Sequence, residues 1–133
     1  MPSQDKNHIL IVDDSTDVQH LLKSFFKGEG YQISTADNGE QALNFLRQSP
    51  RLPDLILLDL MMPVMDGYQF NIEQQKDARF AEIPTLIMTA GTDVNRQTTL
   101  PRGRNFLKKP FTNLEILLSS VSGALVPIAP GGC

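Results

Sequence analysis

Five short apolar runs punctuate the chain, near residues 8–13, 31–36, 54–59, 83–89 and 104–108, and helical patterns fill the gaps between them. The stretches ILIV, LILL and TLIM lack the polar alternation of a half-exposed strand, which predicts central strands covered on both faces. Strand and helix alternating five times imply an α/β fold: a three-layer, doubly wound, parallel five-stranded sheet.

The first helix is bounded by Ser15 or Asp14 as cap and by Gly28 and Gly30 at its end, with Val18, Leu21, Leu22, Phe25 and Phe26 as its apolar stripe. The second spans about 39–48, after the Asn38-Gly39 turn signal, with Ala42, Leu43 and Leu46 inward and Pro50 and Pro53 beyond it. A third follows Asp66-Gly67; Tyr68, Phe70 and Ile72 face the core, but Gln74, Gln75 and Lys76 leave the stripe thin. A fourth is expected within 92–100, although TDVNRQTTLPRG is polar and broken by Pro101 and Gly103. The last begins near Phe111 or Thr112 and repeats Leu114, Leu117, Leu118, Val121 and Leu125. One domain over 8–125 is expected, with flexible flanks at 1–7 and 126–133.

Two of the apolar runs end in charge: HILIVDD closes on Asp13 and Asp14, and DLILLDL carries Asp59. In a doubly wound sheet the carboxyl ends of the strands share one edge, where ligands bind. That edge would collect Asp13, Asp14, Asp59, Thr89 and Lys109. Three carboxylates within a few ångströms repel one another unless a divalent cation neutralises them. Magnesium suits hard oxygen ligands, whereas zinc would call for His or Cys, absent from these positions. Taken singly, each residue has an ordinary reading: Asp13-Asp14 as a helix cap, Thr89 as a turn residue, Lys109-Pro110 as a loop before a helix, Phe106 as a core residue.

Bulk properties narrow the field. A chain of 133 residues with 41% apolar and 20% charged residues fits one globular domain. Its formal charge of -3 gives no electrostatic case for nucleic acid or an anionic membrane, so neither is expected as a partner. MPSQDKN is not a signal sequence, and no apolar run approaches the roughly 20 residues of a membrane span, so a cytoplasmic location is expected. Cys133, the single cysteine, can form no internal disulfide.

Four ordered motifs then align: IVDDS, LLDLMMPVMDG, IMTA and FLKKPF. With them the chain resembles, over about residues 8–125, the receiver domain of two-component response regulators. The resemblance implies a flavodoxin-like (βα)5 fold of single-domain type. It implies that Asp59 is the phosphoacceptor, attacking a phosphohistidine on a sensor histidine kinase or phosphotransfer protein. It further implies that Mg2+ (or Mn2+) is held directly by Asp14, Asp59 and the backbone carbonyl of Met61, and through water by Asp13. Lys109 would pair with one phosphoryl oxygen and Thr89 would donate its hydroxyl to another. Thr89 and Phe106 would act as the switch, reshaping the surface of the fourth helix, fifth strand and fifth helix for an unknown downstream protein. Gly67 would permit a tight turn, and the Lys109-Pro110 bond would be cis. No enzymatic activity is implied beyond the domain's own phosphorylation and dephosphorylation. Whether phosphorylation drives a dimer stays open.

The chain departs from the family between Thr89 and Lys109, where the interval is short and TTLPRGRNF replaces the usual alanine-glycine run. Phe106 stands in place of tyrosine. A phosphorylation-independent interaction module with a receiver fold is the alternative from another class. An aspartyl-nucleophile phosphatase would need a second Asp at position 61, which is Met.

Overall fold

The computed structural model describes residues 7–60, 62–89, 105–108 and 114–125. Along these the order is β1 (His8–Val12), α1 (Thr16–Gly28), β2 (Gln32–Ala36), α2 (Gly39–Gln48), β3 (Leu55–Asp59), α3 (Gly67–Gln75), α4 (Ala78–Ala81), β4 (Thr85–Thr89), β5 (Asn105–Lys108) and α5 (Leu114–Leu125). The strands form one parallel sheet in the order β2-β1-β3-β4-β5, the flavodoxin-like order. The predicted helix at 92–100 and the start of the last helix at 111–112 lie outside the described residues.

Alternation along the strands splits the core in two. Leu10, Val12, Ile56, Leu58 and Ile87 face α2 and α3, meeting Ala42, Leu43, Leu46 and Phe70. Ile9, Ile11, Leu55, Leu57, Leu86 and Met88 face α1 and α5, meeting Leu22, Phe26, Leu117 and Val121. A strand with apolar residues at every position is therefore the signature of a sheet covered twice, as the unbroken runs require.

Helix ends follow local chemistry. Ser15 caps α1, its hydroxyl accepting from the Val18 amide at 3.2 Å, and Gly30, at φ +99°, lets the chain leave its far end. Asn38 caps α2 by accepting from the Gln41 amide. Asp66 and Gln69 form a reciprocal capping box on α3, with bonds of 2.9 and 3.1 Å.

Two apolar assignments are corrected. Ile72 is 56% exposed, while Gln74, read as weakening the stripe of α3, is fully buried. Its Nε2 donates to the carbonyl of Phe80 at 2.9 Å and lies 3.4 Å from both the Ile83 carbonyl and Thr85 Oγ1. These acceptors hold the short α4 and the start of β4, so a hydrogen-bonded polar side chain fills the place an apolar one would take. Likewise Leu21 of α1 is 44% exposed and Gln19 is buried in line with Leu22 and Phe26.

His8 gives a pH-dependent contribution to stability. Its backbone N–H donates to Asp54 Oδ2 at 2.8 Å, its Nε2 is 2.8 Å from Ser34 Oγ, and its ring meets Phe45 edge-on. Burial lowers its pKa from 6.5; Asp54 opposes this and Arg51 reinforces it. The unfolded chain therefore takes up the proton first as pH falls. The contribution is fully present above 6.5 and is lost as pH drops from there through the lowered folded value. Urea midpoints measured from pH 7.5 down to pH 5 are expected to fall more steeply for the wild type than for His8→Gln; parallel curves would refute this.

Candidate functional site: an acidic centre at the carboxyl edge of the sheet

Strand order runs outward from β1 in both directions, so the crevice of this fold opens at the carboxyl ends of β1 and β3. These strands pair directly, with Val12 opposite Leu58. The next residues along are Asp13 and Asp59, so the register starts two carboxylate side chains from neighbouring stretches of backbone, roughly 4.8 Å apart by sheet spacing. Asp14 adds a third. One oxygen from each of Asp13, Asp14 and Asp59 lies within 4.8 Å of the others; Asp13 and Asp59 are buried and Asp14 is exposed.

The surrounding backbone fixes this edge. Asp13 Oδ1 accepts from the Ser15 amide at 2.9 Å, and the Asp13 amide donates to the Ala36 carbonyl at 3.1 Å. Beyond Asp59, the Leu60 amide donates to the Met88 carbonyl and the Leu60 carbonyl accepts from Gly67 at 2.9 Å. Gly67 is required by space: a Cβ there would lie 2.6 Å from the Asp59 carbonyl oxygen and 2.8 Å from Leu60 Cα. Gly39 is equally close to Met65, whose carbonyl accepts from the Gly39 amide. Between these anchors Val64 adopts φ +66°, a conformation costly for a β-branched residue, and is 73% exposed.

An all-oxygen donor set, two of its carboxylates buried, fits a hard divalent cation and not a thiophilic one. A carboxylate held beside such a cation can act as a nucleophile toward an anionic group that would otherwise be repelled.

Of the other expected site residues, Thr89 closes β4 opposite Lys108, and Phe106 stands in β5 opposite Ile87; the structure describes both by backbone position. Lys109 and Met61, and the Lys109-Pro110 bond, lie outside the described residues. The sequence reading missed Gln19, whose amide reaches the Asp13 carbonyl. Its signal was present in the spacing 19, 22, 26, which puts a glutamine on the buried stripe of α1.

The family model described as the response regulator receiver domain matches residues 9–121. The chain belongs to this receiver family. Its receiver domain is 38% identical over 113 residues to the "Probable transcriptional regulator ycf27" of Guillardia theta, covering 84% of this chain and 42% of that protein. It is 36% identical over 114 residues to the response regulator SaeR of Staphylococcus epidermidis, covering 84% and 47%. The chain thus spans less than half the length of these curated relatives. Among solved structures, the signal receiver domain of a signal transduction histidine kinase from Syntrophus aciditrophicus superposes with TM-score 0.81 at 31% identity, covering 92% of this chain and 98% of that one. The chemotaxis response regulator CheY4 of Vibrio cholerae gives 0.80 at 29%, covering 90% and 99%.

These relatives alter one expectation. Proteins named as transcriptional regulators carry this receiver domain, so the exclusion of nucleic acid drawn from net charge has no support. Among the described residues, no helix is long and apolar enough to cross a membrane.

Proposed function

We propose that this receiver domain takes a phosphoryl group onto Asp59 from a phosphohistidine of a histidine kinase or phosphotransfer protein. In this step an Asp59 carboxylate oxygen bonds to phosphorus as the P–N bond breaks, and the electron pair leaves with the imidazole. The observation that carries the reading is the convergence of Asp13, Asp14 and Asp59 oxygens within 4.8 Å at the switch point of a receiver fold.

Asp14 and Asp59, with the carbonyl of Met61, would hold Mg2+ or Mn2+, and Asp13 would support it through water. When bound, the cation supplies the positive charge that lets an anionic phosphoryl group approach an anionic nucleophile. Asp59 attacks, Lys109 pairs with one phosphoryl oxygen and Thr89 donates to another. The same residues serve hydrolysis of the aspartyl phosphate, so the domain catalyses its own phosphorylation and dephosphorylation and no other reaction. The added charge, about -1.5 to -2 at neutral pH, would bias Thr89 and Phe106 and alter the surface of β5 and α5 for a downstream partner. A cytoplasmic location accompanies this role.

The test is incubation with Mg2+ and acetyl phosphate followed by intact-mass measurement. One added phosphoryl group is expected, and EDTA should prevent it. An intact, folded chain that takes up none from any donor, kinase included, would sink the reading.

A further inference from the structure

Gln19 lies one turn into α1, buried beside the acidic centre. Its Nε2 is 2.6 Å from the Asp13 carbonyl oxygen, 3.2 Å from the Ala36 carbonyl oxygen and 2.9 Å from Asp37 Oδ1. Three acceptors surround a group with two N–H bonds, so one proton is shared. The same three oxygens fix which way round the amide sits, because Oε1 in that place would face only acceptors.

The contact to Asp13 has a specific geometric effect. The carbonyl that Gln19 holds belongs to the peptide joining Asp13 to Asp14, and that unit is planar. Anchoring its oxygen restricts the rotations on either side of the plane, and with them the direction in which the Asp14 side chain leaves the backbone. Asp13 is secured separately, through its amide to Ala36 and its carboxylate to Ser15. Asp14 is exposed, and no hydrogen bond from a described residue holds its carboxylate. Among the described residues, its orientation is therefore set through its backbone.

We infer that Gln19 is a positioning residue of the cation centre, holding the Asp13–Asp14 peptide so that Asp14 is presented together with Asp13 and Asp59. This rests on the reading that these three carboxylates bind Mg2+. Outer groups that orient ligands typically change metal affinity by about 10–100-fold when removed. Replacement by methionine keeps the length of the side chain and removes both donors.

The experiment is calorimetric titration of the folded protein with Mg2+ at neutral pH, for wild type, Gln19→Met, Gln74→Met and Asp14→Asn. Gln74 is the control: it is also a buried glutamine, bonded around the start of β4. Thr85 and Thr89 bound that five-residue strand, so Gln74 acts about 13 Å from the site edge. Gln19→Met is expected to weaken Mg2+ binding by about tenfold or more. Gln74→Met should lower the melting temperature and leave Mg2+ affinity within about twofold of wild type, since no metal-orienting group is lost. Wild-type affinity in Gln19→Met, or equal weakening in Gln74→Met, would overturn the inference. If wild type binds no Mg2+, or Asp14→Asn binds it as tightly as wild type, the cation reading itself fails, and the Gln19 role with it. Should Gln19→Met not fold, the side-chain NH2 resonances of Gln19 in the wild type decide: they are expected to shift with added Mg2+ along the calorimetric isotherm, and signals that stay still would refute the role.

Discussion

Asp59→Asn is expected to abolish phosphoryl uptake while leaving the chain folded. The amide is nearly isosteric with the carboxylate it replaces, at a position only 5% exposed, so packing at the end of β3 is retained. What is lost is the nucleophile and one of three anionic oxygens within 4.8 Å. The wild type should gain about 2.7 kcal/mol of stability at a Mg2+ concentration roughly a hundred times its Kd, a rise of several degrees in Tm. In Asp59→Asn most of that rise should vanish. Intact mass after acetyl phosphate treatment and melting curves with and without Mg2+ check both halves. A variant that still becomes phosphorylated would move the acceptor to another residue, Asp13 and Asp14 being the first to examine.

Gly67→Ala should be the most damaging single-methyl substitution around the site. Alanine in a helix is ordinarily favoured over glycine by about 1 kcal/mol. Here the added carbon would stand 2.6 Å from the Asp59 carbonyl oxygen and 2.8 Å from Leu60 Cα, both main-chain atoms that cannot swing aside. Overpacking of this kind costs about 1–3 kcal/mol, so the steric effect outweighs propensity. Because the displaced atoms belong to Asp59 and its neighbour, the rate of phosphoryl uptake should fall as well. Gly123→Ala provides the contrast: nothing lies within 4 Å of its Cβ position in α5, and stability should rise by about 0.5–1 kcal/mol. Urea unfolding of both variants tests the pair, and a stabilised Gly67→Ala would refute the packing argument.

The strands and the acidic centre were legible because buried parallel strands leave a simple trace: continuous apolar runs whose ends mark where polar atoms must reappear. Asp13 and Asp59 each end such a run, and the register that joins Val12 to Leu58 follows from lining up those ends. Helix faces were harder to read. Hydrophobicity alone turned Leu21 and Ile72 inward, whereas the structure turns Gln19 and Gln74 inward, since their amides meet carbonyls at the ends of β1 and β2 and in the chain before β4. That preference depends on the positions of distant acceptors, which hydrophobicity does not encode; for Gln19 only the spacing to Leu22 and Phe26 hints at it. The short helix α4 escaped notice for a similar reason: Asp77 caps it and the Phe80 ring, with Arg79 above it at 4.7 Å, anchors it, but four residues are too few to show periodicity. Gly67, expected to permit a tight turn, is instead the first residue of α3, and what calls for glycine there is the close approach of the Asp59 and Leu60 backbone.

The placement of the acidic centre also has a consequence for the order in which the chain emerges during synthesis. All three carboxylates lie within the first 59 residues, at the carboxyl ends of two strands that pair with each other and need neither β4 nor β5 between them. Of the later strands, β4 joins the free edge of β3 and β5 then joins β4. In order of synthesis the three carboxylates precede more than half of the 133-residue chain, including β4 and β5, which extend the sheet beside them.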